Sequence, residues 1–519
     1  MSKTETPAIE DQDSFDATLR ARAAQAVVDR PEAVDADPWR QTFHIQPPVG
    51  LLNDPNGLVQ HEGVYHFCYQ WNPFGPVHAS KFWAHVTSTD LVHWSDPSVA
   101  LAPSDPLDKD GCYSGSGLVA DAVVRFFYTG NVRGPAGERW AYQNLAAIGP
   151  DGAVVKHRDN PLVPPLDGYS GHIRDPKVWS TEGAYWMLLG AQTQDLHGTA
   201  LLLRSPDLHE WELLGEIGGG ASEPLGYMWE CPDIIRLTGG EILMISPQFD
   251  EGPQAGTERH SDVTLYNPGV LDLTTGRFTG TDFRQVDAGP DFYAPQSFTD
   301  DSGRTIMVGW MGKPDHDEQP LLAVKHPSAH NGWVHCLTVP RTLRLEGDRL
   351  IQWPVEELEV LRGEPTTVVG ATVEPGASLD VAGPSGAACD LELSAACAPG
   401  GTLTLRLRQG ASGRPVLVTI DHWSGTVALD RTLLGTGEGG VHTGSFEPGD
   451  RANARILLDN SSIEVFINGG RLALSARIYP VPDDTQILVD ADGAPLTLDL
   501  SCYPLRGGSA PWPESPTAT

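Results

Sequence analysis

The residues of this chain that could do chemistry sit in a few short polar clusters. Residues 50–57 read G-L-L-N-D-P-N-G, with Asp54 at the centre; Asp175, in R-D-P, lies 121 residues beyond it, and Glu230, in E-C-P-D, a further 55. Each has a plain structural reading. N-D-P-N-G is turn chemistry, because Pro55 fixes φ and Asn56-Gly57 tolerate left-handed backbone. Arg174-Asp175 could be a structural ion pair, and Glu230 a hydrogen bond between neighbouring elements. Gathered in one pocket, the three carboxylates could do more. Mutual repulsion and desolvation raise the pKa of at least one, and cleavage of a glycosidic bond needs one protonated acid and one ionised nucleophile. Carboxylate oxygens also suit calcium, a reading that Arg174 within the cluster opposes.

The elements that must bring these clusters together form a repeat. Short apolar runs start at Gly63 (G-V-Y-H-F-C-Y-Q), Val123 (V-V-R-F-F-Y-T-G), Gly183 (G-A-Y-W-M-L-L-G), Gly240 (G-E-I-L-M-I-S) and Gly303 (G-R-T-I-M-V-G-W), at spacings of 60, 60, 57 and 63 residues. A short strand-like segment precedes each: Leu58-Val59, Leu118-Val119, Val178-Trp179, Ile234-Ile235 and Ser297-Phe298. S-T-D-L-V-H-W (Ser88 to Trp94) is echoed by S-P-D-L-H-E-W (Ser205 to Trp211). Five units of about 60 residues, each a set of short strands, read as a five-bladed β-propeller. A polar cluster stands just before each first strand: Asn53-Asp54, Ser114-Gly115-Ser116, Arg174-Asp175, Glu230 and Tyr293. Equivalent strand ends of a propeller converge at one mouth of its central channel, so the clusters are expected to share a pocket. Trp71, Trp83, Tyr113, Trp229, Tyr293 and Trp310 lie near them, and aromatic faces beside polar donors suit carbohydrate as well as core. Gln70, at the end of the second strand of the first unit, could hydrogen-bond a hydroxyl. His44, His85 and His93 read as structural histidines.

Composition narrows the partners. Over 519 residues, 68 acidic and 35 basic side chains leave a formal charge of −33. No basic stripe for nucleic acid is visible, and adhesion to anionic membrane is disfavoured. The N-terminal M-S-K-T-E-T-P-A-I-E-D-Q-D has no apolar core for a signal peptide, and no run approaches the ~18 apolar residues of a membrane span. Seven scattered cysteines without a C-x-x-C pair point to free thiols and a cytoplasmic protein.

Taken in order and spacing, N-D-P-N-G, Y-Q-W-N-P (Tyr69 to Pro73), Y-S-G-S (Tyr113 to Ser116), R-D-P and E-C-P-D resemble glycoside hydrolase family 32, the invertases, fructanases and sucrose-6-phosphate hydrolases. D-F-Y-A-P-Q-S-F from Asp291, G-W-M from Gly309 and L-T-V-P-R from Leu337 agree. The stretch from Gly50 to Asn131, with K-F-W from Lys81, looks most like the bacterial intracellular sucrose-6-phosphate hydrolase or sucrase branch. The resemblance implies a retaining double displacement on a β-fructofuranosyl unit. Asp54 would be the nucleophile at the anomeric C2, Glu230 the acid and then the base, and Asp175 the transition-state stabiliser, with Arg174 beside it. Asn53, Gln70, Tyr113, Ser114 and Trp310 match positions that line the family's fructose pocket. His78 departs, standing where many relatives carry tryptophan. No metal or cofactor is implied.

The resemblance also implies a C-terminal β-sandwich, and alternating runs such as L-T-L-R-L-R from Leu403 and S-I-E-V-F-I-N-G-G from Ser462 support one independently. The expected organisation is all-β, a five-bladed β-propeller followed by a C-terminal β-sandwich. Residues 1–37 form an N-terminal helical extension (a helix over 14–30), 38–354 the propeller, 355–365 a linker, 366–505 the sandwich and 506–519 a disordered tail. The expected substrate is sucrose or short fructo-oligosaccharides. Sucrose 6-phosphate is the alternative, because Lys81, Lys109, Arg133 and Arg139 lie in loops that could reach the rim or be plain solvated surface. A fructosyltransferase on the same site, a non-catalytic sugar-binding propeller and an arabinan- or xylan-cleaving relative are the other readings. A homo-oligomer is compatible with the sequence.

Overall fold

The computed structural model describes residues 9–218, 225–249, 263–314, 319–381 and 387–507; residues 508–519, most of the expected tail, lie outside the described residues. The chain is mostly strand. Each of the five apolar runs is the second strand of a hairpin. Val64–Asn72, Val123–Arg133, Ala184–Thr193, Gly240–Gln248 and Thr305–Met311 pair antiparallel with Gly50–His61, Cys112–Ala120, Tyr169–Thr181, Met228–Leu237 and Tyr293–Thr299. Two-residue hairpin turns of type I′ need positive φ at both central residues. Glu62-Gly63 (50° and 77°) and Glu182-Gly183 (56° and 72°) supply it, and in the second hairpin Asp121-Ala122 (50° and 57°) does so without glycine.

Further strands extend each hairpin into a sheet of four or five strands. The five first strands touch in cyclic order, each against the next and the fifth against the first. The ends of this series are tied together, because Trp333–Val334, which follows the fifth hairpin, pairs in parallel with Gly50-Leu51 of the first sheet. The echoed heptapeptides make one turn twice. Asp90 Oδ1 accepts from the backbone N of Val92 (3.1 Å) and His93 (2.8 Å), and Asp207 Oδ1 from His209 (2.9 Å) and Glu210 (3.0 Å).

Residues 366–504 form two six-stranded sheets. Strand Thr402–Gln409 buries Leu403, Leu405 and Leu407 while Thr402, Thr404 and Arg406 stay half-buried, the period-two pattern of a strand with one face in a core. Those leucines join Leu391, Ile456 and Val465 of the other sheet in a single cluster. Each such side chain contributes about 1.5–3 kcal/mol on burial.

The two halves are joined by buried charge. Arg341, fully buried, donates to Asp287 (2.9 Å), Gln352 (2.6 Å), Ser475 (2.5 Å) and Glu464 (3.0 Å from Nε). His44 lies between Asp459 (2.8 Å) and Glu464 (2.9 Å). The stretch expected as a linker is packed: a 3-10 helix, Glu356–Leu361, buries Leu358 and Leu361. The N-terminal helix α1 (Ile9–Val28) starts earlier than expected. Its Arg20 donates to the carbonyls of Val99 (2.6 Å), Ala100 (3.0 Å) and Val154 (3.3 Å), strapping the first sheet to the second. All seven cysteines are buried free thiols. Among the described residues no helix is long and apolar enough to cross a membrane.

Candidate active site

The polar clusters lie inside the first strands and not ahead of them, and each coincides with an irregularity. Register shifts occur between Leu52 and Pro55, between Tyr113 and Gly115, opposite Arg174–Lys177, between Glu230 and Asp233, and between Tyr293 and Gln296. Such bulges bend a strand and re-aim its side chains. Asp175, Cys231 and Ala294 take φ of 65°, 44° and 44° there, left-handed backbone that is uncommon for residues with a Cβ and that clusters at functional sites. Asn56 pins the first bulge to the second sheet: its Nδ2 donates to Asp54 O and its Oδ1 accepts from Gly115 N, both at 2.9 Å.

These bulges surround a cavity of about 450 Å³ lined by all ten residues singled out from the sequence: Asn53, Asp54, Gln70, His78, Tyr113, Ser114, Arg174, Asp175, Glu230 and Trp310. Tyr293 lines it too. Trp71, Trp83 and Trp229 do not; they are buried and donate to the carbonyls of Val49 (2.8 Å), Tyr113 (3.2 Å) and Leu225 (2.7 Å). Of the four basic candidates, Lys81 and Arg133 line the cavity. Lys109 is paired with Asp110 at 3.1 Å. Arg139 stacks over Tyr113 and donates to Asn131 (3.0 Å) and His172 (3.2 Å). Sequence reasoning missed Gln248, whose Oε1 accepts from Arg174 at 3.0 Å, and Asp110. Gln248 ends the second strand of its sheet as Gln70 nearly does in the first, a signal that was there to use.

Asp54 Oδ2 accepts from the Ser114 hydroxyl (2.5 Å) and Oδ1 from Asn53 Nδ2 (3.2 Å). Glu230 Oε1 accepts from Arg174 Nη2 (2.8 Å) and Nε (3.0 Å), and Oε2 from the Tyr293 hydroxyl (2.7 Å). Asp175 Oδ2 accepts from Cys231 N (3.0 Å). Burial, partly offset by the Ser114 hydroxyl and reinforced by Glu230, pushes the Asp54 carboxyl above its usual range. Burial pushes Asp175 up to about 7 against the pull of Arg174. Burial also weakens the charge on Lys81, to about 8, although Asp54 opposes it. Arg174, against the effect of burial, is held more firmly charged than usual by Glu230 and Asp175. His172, next to Arg174 and Arg139, is pushed down to about 3 by burial and by both cations. The site therefore presents three carboxyl groups in different surroundings: Glu230 paired with Arg174, Asp54 on the Ser114 hydroxyl and Asp175 on Cys231 N. Among the described residues no group of His, Cys, Asp and Glu side chains is arranged to hold a metal ion.

Residues 44–354 match the model of the glycosyl hydrolases family 32 N-terminal domain, and residues 357–504 that of the family 32 C terminal. The sucrose-6-phosphate hydrolase of Bacillus subtilis is 39% identical over 496 residues, covering 92% of this chain and 97% of its own. That of Salmonella typhimurium is 36% identical, covering 93% and 97%. Among solved structures, sucrose-6-phosphate hydrolase from Lactobacillus gasseri superposes with a TM-score of 0.84 at 27% identity, covering 93% of this chain and 97% of that one. A Bombyx mori GH32 beta-fructofuranosidase mutant in complex with sucrose has a TM-score of 0.79 at 30% identity, covering 95% and 99%.

Proposed function

This chain belongs to glycosyl hydrolase family 32 and is a glycoside hydrolase acting on fructosides; within that family we propose that it is a retaining β-fructofuranosidase hydrolysing sucrose and short fructo-oligosaccharides. The observation that carries the reading is the convergence of Asp54, Asp175 and Glu230, from three different sheets, on one cavity. Asp54 attacks the anomeric C2 of the fructosyl unit. Glu230 protonates the leaving oxygen and then takes a proton from the water that releases the covalent fructosyl group. Asp175 stabilises the oxocarbenium-like transition state through fructosyl hydroxyls. Asn53, Gln70, Tyr113, Ser114, Arg174, Trp310 and His78 shape the sugar pocket. This chemistry calls for no metal or cofactor.

The architecture is read as a five-bladed propeller followed by a β-sandwich. The cyclic contacts of the five first strands and the shared core of the two six-stranded sheets support that reading. A second substrate reading, sucrose 6-phosphate, is favoured by Lys81 and Arg133 on the cavity wall and by the names of the curated relatives. Transfer of fructose to a second sugar uses the same site, and product analysis at high sucrose separates it from hydrolysis.

The deciding experiment is fructose release from sucrose and from sucrose 6-phosphate, with the wild type and Glu230→Ala. The wild type is expected to cleave at least one of the two, and Glu230→Ala to lose about 10²–10⁴-fold in kcat. Near-full activity of that variant would sink the mechanism. A preference of about tenfold or more for the phosphate, ~1.4 kcal/mol of transition-state binding, would select the second substrate.

A further inference from the structure

The hydrogen bonds behind Asp54 run in one direction. Lys81 Nζ donates to Asn53 Oδ1 (2.6 Å), Asn53 Nδ2 to Gln70 Oε1 (2.7 Å), Gln70 Nε2 to Ser114 Oγ (2.6 Å), and the Ser114 hydroxyl to Asp54 Oδ2 (2.5 Å). An ammonium group can only donate, and an ionised carboxylate can only accept. With one at each end, both amides are left a single orientation and the Ser114 proton is aimed at Asp54. Asn53, Gln70 and Ser114 are buried, and linked bonds of this kind polarise and strengthen one another in low dielectric. A proton on Asp54 Oδ2 would oppose the chain by turning a donor towards Ser114, and one on Oδ1 would leave Oδ2 a weaker, uncharged acceptor.

Lys81 makes no ion pair with a carboxylate among the described residues; its other bond is to His78 Nδ1, at 3.0 Å. A cation on a cavity wall with no carboxylate at ion-pair distance among the described residues needs a reason. Holding the head of this chain is one that the geometry supplies.

We propose that Lys81 is a positioning residue for the reaction: acting through Asn53, Gln70 and Ser114, it keeps the Asp54 carboxylate ionised and aimed. The proposal rests on the reading of Asp54 as the nucleophile. The charged groups around Asp54 divide clearly. Glu230 and Asp175, from the fourth and third sheets, favour its neutral form, and Lys81 favours the carboxylate. Cys231 is a neutral thiol whose ionisation burial and these carboxylates oppose. Arg174 is engaged with Glu230, and His78 faces Lys81.

The test compares Lys81→Met and Lys81→Arg in the full chain, with sucrose as substrate and Asp54→Asn alongside. Lys81→Met is expected to lower kcat by about 10- to 100-fold, the cost of a misplaced reacting group. KM should stay within about threefold, as for a group acting on the chemical step alone. The acid limb of kcat/KM should move to higher pH, because Asp54 must be ionised to attack and has lost the cation that opposes its protonation. Lys81→Arg, which keeps charge and donors, should restore the limb. The proposal falls if Lys81→Met keeps both kcat and the acid limb, or if it raises KM alone, as a substrate contact would. If Lys81→Met does not fold, Ser114→Ala breaks the chain at its other end, and an unmoved limb there overturns the proposal equally. Activity surviving Asp54→Asn would remove the nucleophile reading itself. An inactive Asp54→Asn beside an unaffected Lys81→Met would remove only the role of Lys81.

Discussion

Asp175 sits where burial and charge pull against each other. Its carboxyl accepts from Cys231 N and stands 3.9 Å from Arg174, yet burial pushes it up to about 7. In the proposed role of steadying a developing positive charge, Asp175 is useful only when ionised, so protonation costs activity as pH falls through that value. The acid limb of kcat/KM is therefore expected near neutrality and not near ~4, where a free carboxyl titrates. Asp175→Asn should remove that contribution and lower kcat by about 10²-fold or more, as loss of one transition-state partner does. A pH–rate profile of the variant unchanged in shape from that of the wild type would contradict this. Asp54, whose carboxyl burial also raises, contributes to the same limb.

At the scale of the element, the bulges matter more than the strands that contain them. A regular strand would send alternate side chains to opposite faces. The register shift between Leu52 and Pro55 breaks that alternation beside Asp54, and Asn56 braces the shift against the second sheet. Asn56→Ala would leave Gly115 N and Asp54 O without this partner, inside a buried region. A stability loss of about 1–3 kcal/mol is expected from the unsatisfied groups, read by thermal melting. A fall in kcat of up to about 10²-fold is expected from displacement of Asp54, the proposed nucleophile, with KM changing less. The same reasoning explains why the clusters read from the sequence as preceding the strands lie within them. A bulge belongs to the pairing of two strands and leaves little trace in either strand alone.

At the scale of the whole molecule, the second half is tied to the first through buried charge. Glu464, from that half, accepts from Arg341 and from Val339 N (2.9 Å), and it lies 2.9 Å from His44 on the segment that leads into the first sheet. Removing one partner of a buried charge cluster leaves the others uncompensated, at about 3–5 kcal/mol. Glu464→Ala is therefore expected to lower the thermal midpoint more than an exposed substitution such as Glu447→Ala, whose pair with Arg349 is mostly solvated. Equal midpoints for the two variants would mean that the halves are held by apolar packing alone.

The sequence by itself determined the hairpins and the chemical identity of the site. Apolar runs at a period near 60, each preceded by a second short strand-like segment and set off by turn residues, read as hairpins, and the motifs name the carboxyl groups and the arginine available for chemistry. Resemblance in motif order pointed to the family to which the chain belongs. Only the tertiary structure decided where those side chains point. It turned Trp71, Trp83 and Trp229 into the core and left Tyr113, Tyr293 and Trp310 on the cavity. It packed a stretch that composition read as a linker, because Leu358 and Leu361 find a core there. It also brought Lys81 against Asn53, 28 residues away in sequence. Composition and spacing report what a segment can bury and how often it turns. Strand register and the approach of distant segments set direction and partnership, and those are properties of pairs of segments that no single stretch contains.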